Sequence, residues 1–142
     1  MNRSQHGSAL VEFALVLPIL LLLSMMTIEF GRAVHRYNCT AKVVRDAVRY
    51  LSTQTPGTHA TEARNLIVYG NVGGTGSPLD PALTTSNVAT PTWQSAGSAP
   101  LINTVTVRVT GYQFTPMVAS VFGTALPAIT FNDISATMRS PL

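Results

Sequence analysis

With 142 residues, the chain has room for one domain, or for one domain and an anchor. Charged residues make up only 11% and hydrophobic residues 46%, with the apolar ones crowded into the N-terminal third. The net charge of +3 comes without basic–aromatic interleaving, which argues against nucleic acid as a partner, and a single cysteine rules out an internal disulfide framework or a cysteine-based zinc site.

Residues 8–30 form one apolar block, interrupted only by Glu12 and Glu29. At about 1.5 Å per residue, 20 to 23 helical residues cross a hydrocarbon core roughly 30 Å thick. The block therefore reads as a transmembrane helix with membrane lipid around it. Pro18 lies inside it, frees the Ala14 carbonyl and should bend the helix. A cleaved secretory signal is the rival reading, with Arg3 as its basic end. Against it, the block is long, and Thr27-Ile28-Glu29-Phe30-Gly31-Arg32 offers no A-x-A site.

Glu12 is the anomaly in this block. A charge costs about 2.5–3.5 kcal/mol at a bilayer centre and less near its edge, so a plain anchor would do without it. Gly7 stands five residues earlier and marks a candidate cut before Ser8. The milder reading of Glu12 is a first-turn acid favoured by the helix dipole and reaching headgroups. Arg3 alone precedes the block, whereas Arg32, Arg36, Lys42, Arg45 and Arg49 follow it, so the positive-inside count puts the C-terminal side in the cytoplasm.

After Gly31 the apolar positions Val34, Tyr37, Ala41, Val44, Val48 and Leu51 fall at spacings of 3 and 4, a helical stripe. Arg36, Lys42, Arg45 and Arg49 fall on other faces. The helix is thus expected from about Ser8 to about Leu51, with 31–52 as an amphipathic continuation. The stripe packs against the chain's own C-terminal domain or against another subunit's helix. Glu29 and Arg32 form an i, i+3 pair of little worth at the membrane surface. Cys39 reads as a small packing residue, with an intermolecular disulfide as the alternative. His6, His35 and His59 lack the spacing of a metal cluster, and no cofactor is expected.

The remainder, 53–142, reads as a separate α+β unit. A short helix is expected from about Thr61 to Tyr69. A Gly/Pro-rich loop then occupies 70–103, with Asn87-Val88-Ala89 as a short strand within it. Its glycines make no phosphate loop, because no Gly-Lys-Ser/Thr follows. Residues Thr104 to Thr110 alternate strictly and predict a half-buried strand, which Tyr112-Gln113-Phe114 extends. Pro116 opens a short helix to about Val121, ended by Gly123. The last strand is expected from Ile129 to Met138, with a β-bulge where its apolar phase flips at Asn132-Asp133. A long helix backed by a short helix and an antiparallel sheet is an α+β layer arrangement.

Two stretches together resemble the TadE-like family, minor pilins (pseudopilins) of the tight-adherence pilus system. The first runs from Gly7-Ser8-Ala9-Leu10-Val11-Glu12-Phe13 to Pro18 and on to Ile28-Glu29-Phe30-Gly31-Arg32; the second comprises Val105–Val109, Tyr112–Pro116 and Ile134–Arg139. The resemblance implies a prepilin with a leader of residues 1–7 and a pilin-like fold. A prepilin peptidase would cut between Gly7 and Ser8. Glu12 becomes mature position five, and Phe13 is the aromatic residue after it. The resemblance also implies an inner-membrane protein with its C-terminal domain in the periplasm, against the charge count. Its implied partners are the prepilin peptidase, a major pilin, other minor pilins and the inner-membrane assembly platform.

The physics of the site runs alongside. Cleavage would leave a cationic amine on Ser8, about 6 Å along the helix from Glu12. The amine of one subunit can then meet Glu12 of a neighbour, which offsets the burial of the charge and sets the register of packed helices. The function read here is a membrane-anchored minor pilin that assists fibre assembly. The alternative is a single-pass envelope accessory module that is neither cleaved nor built into a fibre. An enzyme is disfavoured, because no nucleophile–base set, paired-carboxylate motif or nucleotide loop occurs.

Overall fold

The computed structural model describes residues 5–121 and 123–141. The fold is α+β: a long N-terminal helix, a short second helix and antiparallel sheets. Helix α1 spans Gln5–Ser52, 48 residues and so about 70 Å long. It starts three residues before the expected Ser8 and passes through Pro18 without interruption. Its last turn carries Arg49, suited to the negative end of the helix dipole. The Ser52 hydroxyl donates to the Arg49 carbonyl at 2.8 Å, and the chain turns off before Pro56-Gly57.

Helix α2, Ala60–Tyr69, agrees with the expected short helix. His59 precedes it in a left-handed conformation, φ 59°. Gly70 closes it at φ 74° and donates its N–H to the Leu66 carbonyl at 3.0 Å. That conformation strains any residue with a Cβ, although a Cβ there would meet the Leu79 side chain only at ordinary contact distance, 3.4 Å.

The expected loop over 70–103 is only partly a loop. Asparagine side chains organise its first half: Asn71 brackets Thr75, accepting from its N–H at 3.1 Å and donating to its carbonyl at 2.8 Å. A 3-10 turn occupies Thr85–Asn87. Asn87 accepts from the Thr84 N–H at 3.0 Å and donates to the Thr110 carbonyl at 3.1 Å, which ties the loop to the sheet. Val88 bridges to Val109 as an isolated β-pair. Strand β1, Thr92–Ala96, lies in the second half, where no strand is expected from the sequence. Its residues are mostly exposed, so it carries no apolar alternation, and its pairing with β2 alone defines it.

Strand β2, Ile102–Val109, is the centre of a three-stranded antiparallel sheet in the order β1-β2-β7, where β7 is Ile134–Ser140. Val105, Val107 and Val109 point inward and stand opposite Met138, Ala136 and Ile134. The outer face carries Thr106, within 2.7 Å of Thr137, and Arg108, 3.5 Å from Asp133. The inward valines join Val44, Ala47, Val48 and Leu51 of α1 and Ala63, Ile67 and Val68 of α2 in one core.

The structure corrects three expectations around this core. The buried stripe of α1 is Ala33, Thr40, Val44, Ala47, Val48 and Leu51, whereas Val34 and Tyr37 are exposed. The segment from Pro116 to Val121 is no helix. Between β2 and β7 the chain forms a long two-tier hairpin. Its base pairs β3, Gln113–Phe114, with β6, Ile129–Thr130; its outer tier pairs β4, Ser120–Val121, with β5, Thr124–Ala125. Six residues hold too few helical hydrogen bonds to stand alone, whereas the antiparallel partner offers its bonds at once. The expected strand over 129–138 is accordingly two strands. Asn132-Asp133 carries the chain from the hairpin into the sheet, so the phase flip marks a change of partner, not a bulge.

Candidate functional site at the long apolar helix and its junction

The first half of α1 stands clear of the globular domain. Its apolar stretch has a mean hydropathy of 2.4, is long enough to cross a membrane, and is not buried against any other part of the protein. Leu10, Leu15, Ile19 and Ile28 are each at least 60% exposed. Two polar side chains inside the stretch satisfy themselves: Ser24 donates to the Leu20 carbonyl and Thr27 to the Leu23 carbonyl, both at 2.8 Å. Such back-bonding lets hydroxyls sit in hydrocarbon without water.

The residues singled out from the sequence all lie at the free end of this helix. Gly7, Ser8, Glu12 and Phe13 are exposed. Ser8 and Glu12 are four apart and so share a face. The Gly7–Ser8 bond lies within the first turns of α1, where a Cβ on Gly7 would meet nothing within 4 Å. The first four N–H groups of a helix have no internal partner, so this turn opens at little cost to an extended form. Met1 to Ser4, the first part of the expected leader, fall outside the described residues.

At the other end of the apolar stretch a cluster of charges and rings fastens α1 to the domain. Glu29 is only 8% exposed. Arg32 donates to both of its carboxylate oxygens at 2.7 Å, and the Met117 N–H approaches Oε2 at 3.4 Å. The pair read from the sequence as a surface contact is therefore covered by the hairpin. One turn on, Arg36, placed off the apolar stripe by its spacing, is drawn into the packed junction; its Nη1 reaches Asp80 Oδ1 at 3.3 Å. The Arg32 and Arg36 guanidiniums both stand over the Phe114 ring, 5.6 and 5.4 Å from its centre. Stacking an arginine on a ring in this way is attractive and keeps the charge partly desolvated.

Asp80 is the hub of the cluster. It accepts the Ala82 N–H at 2.9 Å through Oδ1 and the Tyr112 hydroxyl at 2.6 Å through Oδ2. Tyr112 is fully buried, and its ring stacks on Phe131 at 5.5 Å. Burial pushes the Tyr112 phenol up to about 12, and the hydrogen bond to Asp80 and its negative charge push in the same direction. Tyr112 therefore stays a neutral donor through the physiological range. Sequence reasoning missed Asp80 and Tyr112. The available signal was that Asp80 is the lone carboxylate between Glu62 and Asp133. Cys39, expected to pack, is exposed, with its sulfur 3.6 Å from His35 Nε2.

The free apolar helix with its early glutamate agrees with a comparison against protein families. Residues 7–49 match the family model described as TadE-like protein. Over that span the long helix is similar to the TadE-like family. The match takes in Gly7, Ser8, Glu12 and Phe13, the whole apolar stretch and the Glu29–Arg32 pair, and it ends just before α1 does. The sheet and the hairpin lie outside the matched span. No curated protein and no solved structure matches the chain.

Proposed function

We propose that the protein is a minor pilin, or pseudopilin, anchored in the bacterial inner membrane, where it assists assembly of a tight-adherence pilus and has no catalytic activity of its own. The observation that carries this reading is Glu12 in an otherwise apolar, unpacked TadE-like helix, five residues after a glycine. In this reading prepilin peptidase removes residues 1–7. The new Ser8 amine then pairs with Glu12 of a neighbouring helix, a major pilin or another minor pilin, and the pair fixes how far the two helices slide past each other. The domain from residue 53 onward faces the periplasm and presents its surface to the assembly platform.

The test is N-terminal sequencing and intact mass of the membrane-purified protein expressed beside its cognate peptidase. The expected start is Ser8, and Gly7→Val is expected to block the cut, because a branched side chain crowds the scissile bond. A chain that keeps its original start beside an active peptidase leaves an uncleaved envelope accessory module as the function.

A further inference from the structure

The two-tier hairpin is the part of the domain that the core does not explain. Its path can be followed against α1. At the far end of the domain, the Ser140 hydroxyl meets the Ser52 carbonyl at 3.3 Å. Lower down, Phe114 lies beside Arg36 and Arg32. Lower still, Met117 meets Glu29. From Tyr112 onward the chain thus runs antiparallel to α1, toward the apolar stretch, and arrives at the turn where that stretch ends.

Its chemistry changes along the way. No Asp, Glu, Lys or Arg occurs between Arg108 and Asp133. Met117 is 77% exposed, although its backbone touches the last turn of the apolar stretch. Ala119, Ala125, Pro127, Ala128 and Ile129 are exposed as well. Beyond Met117 the outer tier extends four more residues to Val121, at most about 13 Å of extended chain. A soluble domain seldom leaves a charge-free, partly apolar arm in water.

We propose that this hairpin is a second membrane contact: its outer tier, with Met117, lies in the headgroup and upper acyl region of the bilayer that α1 crosses. The inference rests on α1 being a membrane anchor, and it commits to lipid because the arm is continuous with that anchor. The Glu29–Arg32 turn marks the boundary of the hydrocarbon. An arm starting there needs to descend only about 5–10 Å to reach the depth at which apolar faces of interfacial segments sit. Two contacts, one at the helix and one at the arm, would stop the domain rotating about α1 and hold it in one orientation on the membrane surface.

The experiment uses the full chain with Cys39→Ser, reconstituted in phosphatidylcholine/phosphatidylglycerol vesicles. Single cysteines are introduced at Leu20, Met117, Ala125 or Gln54 and labelled with an environment-sensitive fluorophore. Acyl chains brominated near the headgroup serve as the quencher for Met117, Ala125 and Gln54, and acyl chains brominated near their methyl end for Leu20, which lies at the middle of the apolar stretch. The expected result is strong quenching at Leu20, at Met117 and at Ala125, each losing more than half its emission, and none at Gln54 at the far end of α1. Quenching at Leu20 with full emission at Met117 and Ala125 overturns the proposal and keeps the anchor. A blue-shifted but unquenched probe on the arm also overturns it, since the arm would then be covered by protein. An unquenched Leu20 removes the anchor and the arm contact together.

Discussion

Replacing Tyr112 with Phe removes one hydroxyl from the junction and leaves its ring packed on Phe131. The wild-type hydroxyl donates to Asp80 at 2.6 Å in a fully buried setting. Its pKa rises from 10.0 to about 12, and one unit corresponds to about 1.4 kcal/mol, so the folded state favours the protonated phenol by about 2–3 kcal/mol. A hydrogen bond to a charged acceptor has the same size, about 1.5–3 kcal/mol. Tyr112→Phe should therefore destabilise the globular domain by about 2 kcal/mol at pH 8. The pH dependence supplies a second sign. Because the folded pKa is the higher one, the phenol's contribution is complete below pH 10 and is lost as pH rises from 10 through about 12. The difference in stability between wild type and Tyr112→Phe should shrink over that window by about 1.4 kcal/mol per pH unit at its steepest. The assay is urea unfolding of the full chain in detergent micelles, followed by fluorescence of Trp93, which packs at the edge of the core. A difference that stays flat from pH 9 to 12 would show that neither burial nor Asp80 holds the phenol protonated in the folded domain, and the junction argument would fail.

Glu12→Gln should leave cleavage intact yet lower co-purification with sheared pili and the assembly platform at least tenfold, since about 1.4 kcal/mol is a factor of ten in association and breaking a buried pair from one side costs more. Wild-type recovery would leave Glu12 without a pairing role. Leu51→Ala, in the centre of the core between α1 and the sheet, should cost about 2–5 kcal/mol in the same unfolding assay, while Val34→Ala on the exposed face should change stability little. An alkaline phosphatase fused after Leu142 should be active, and a fluorescent protein that folds only in cytoplasm should be dark there. The opposite pattern would vindicate the lysine and arginine count and remove the pilin reading.

The sequence by itself was enough for the elements whose signal is local. An apolar run of the right length marks a helix that could cross a membrane, and a 3-and-4 spacing carries that helix onward into the domain. The strict alternation of Thr104 to Thr110 declares the central strand. The proposal for Gly7, Ser8, Glu12 and Phe13 rests on the same local kind of signal, because one carboxylate in an apolar block needs explaining whatever the fold. What depends on partners was not legible. Strand β1 has no apolar face and exists only because β2 lies beside it. The 113–130 region carries apolar residues in both helical and extended phases, and only the pairing of Phe114 with Ile129 and of Val121 with Thr124 decides for the hairpin. Spacing placed Arg36 only off the apolar stripe; the fold brought Asp80, from 44 residues away, within 3.3 Å of it. Whether a buried charge is tolerable depends on which opposite charge and which ring lie across from it, and chain spacing does not contain that fact; the tertiary structure alone placed Glu29, Arg32, Arg36, Asp80 and Tyr112 at one junction.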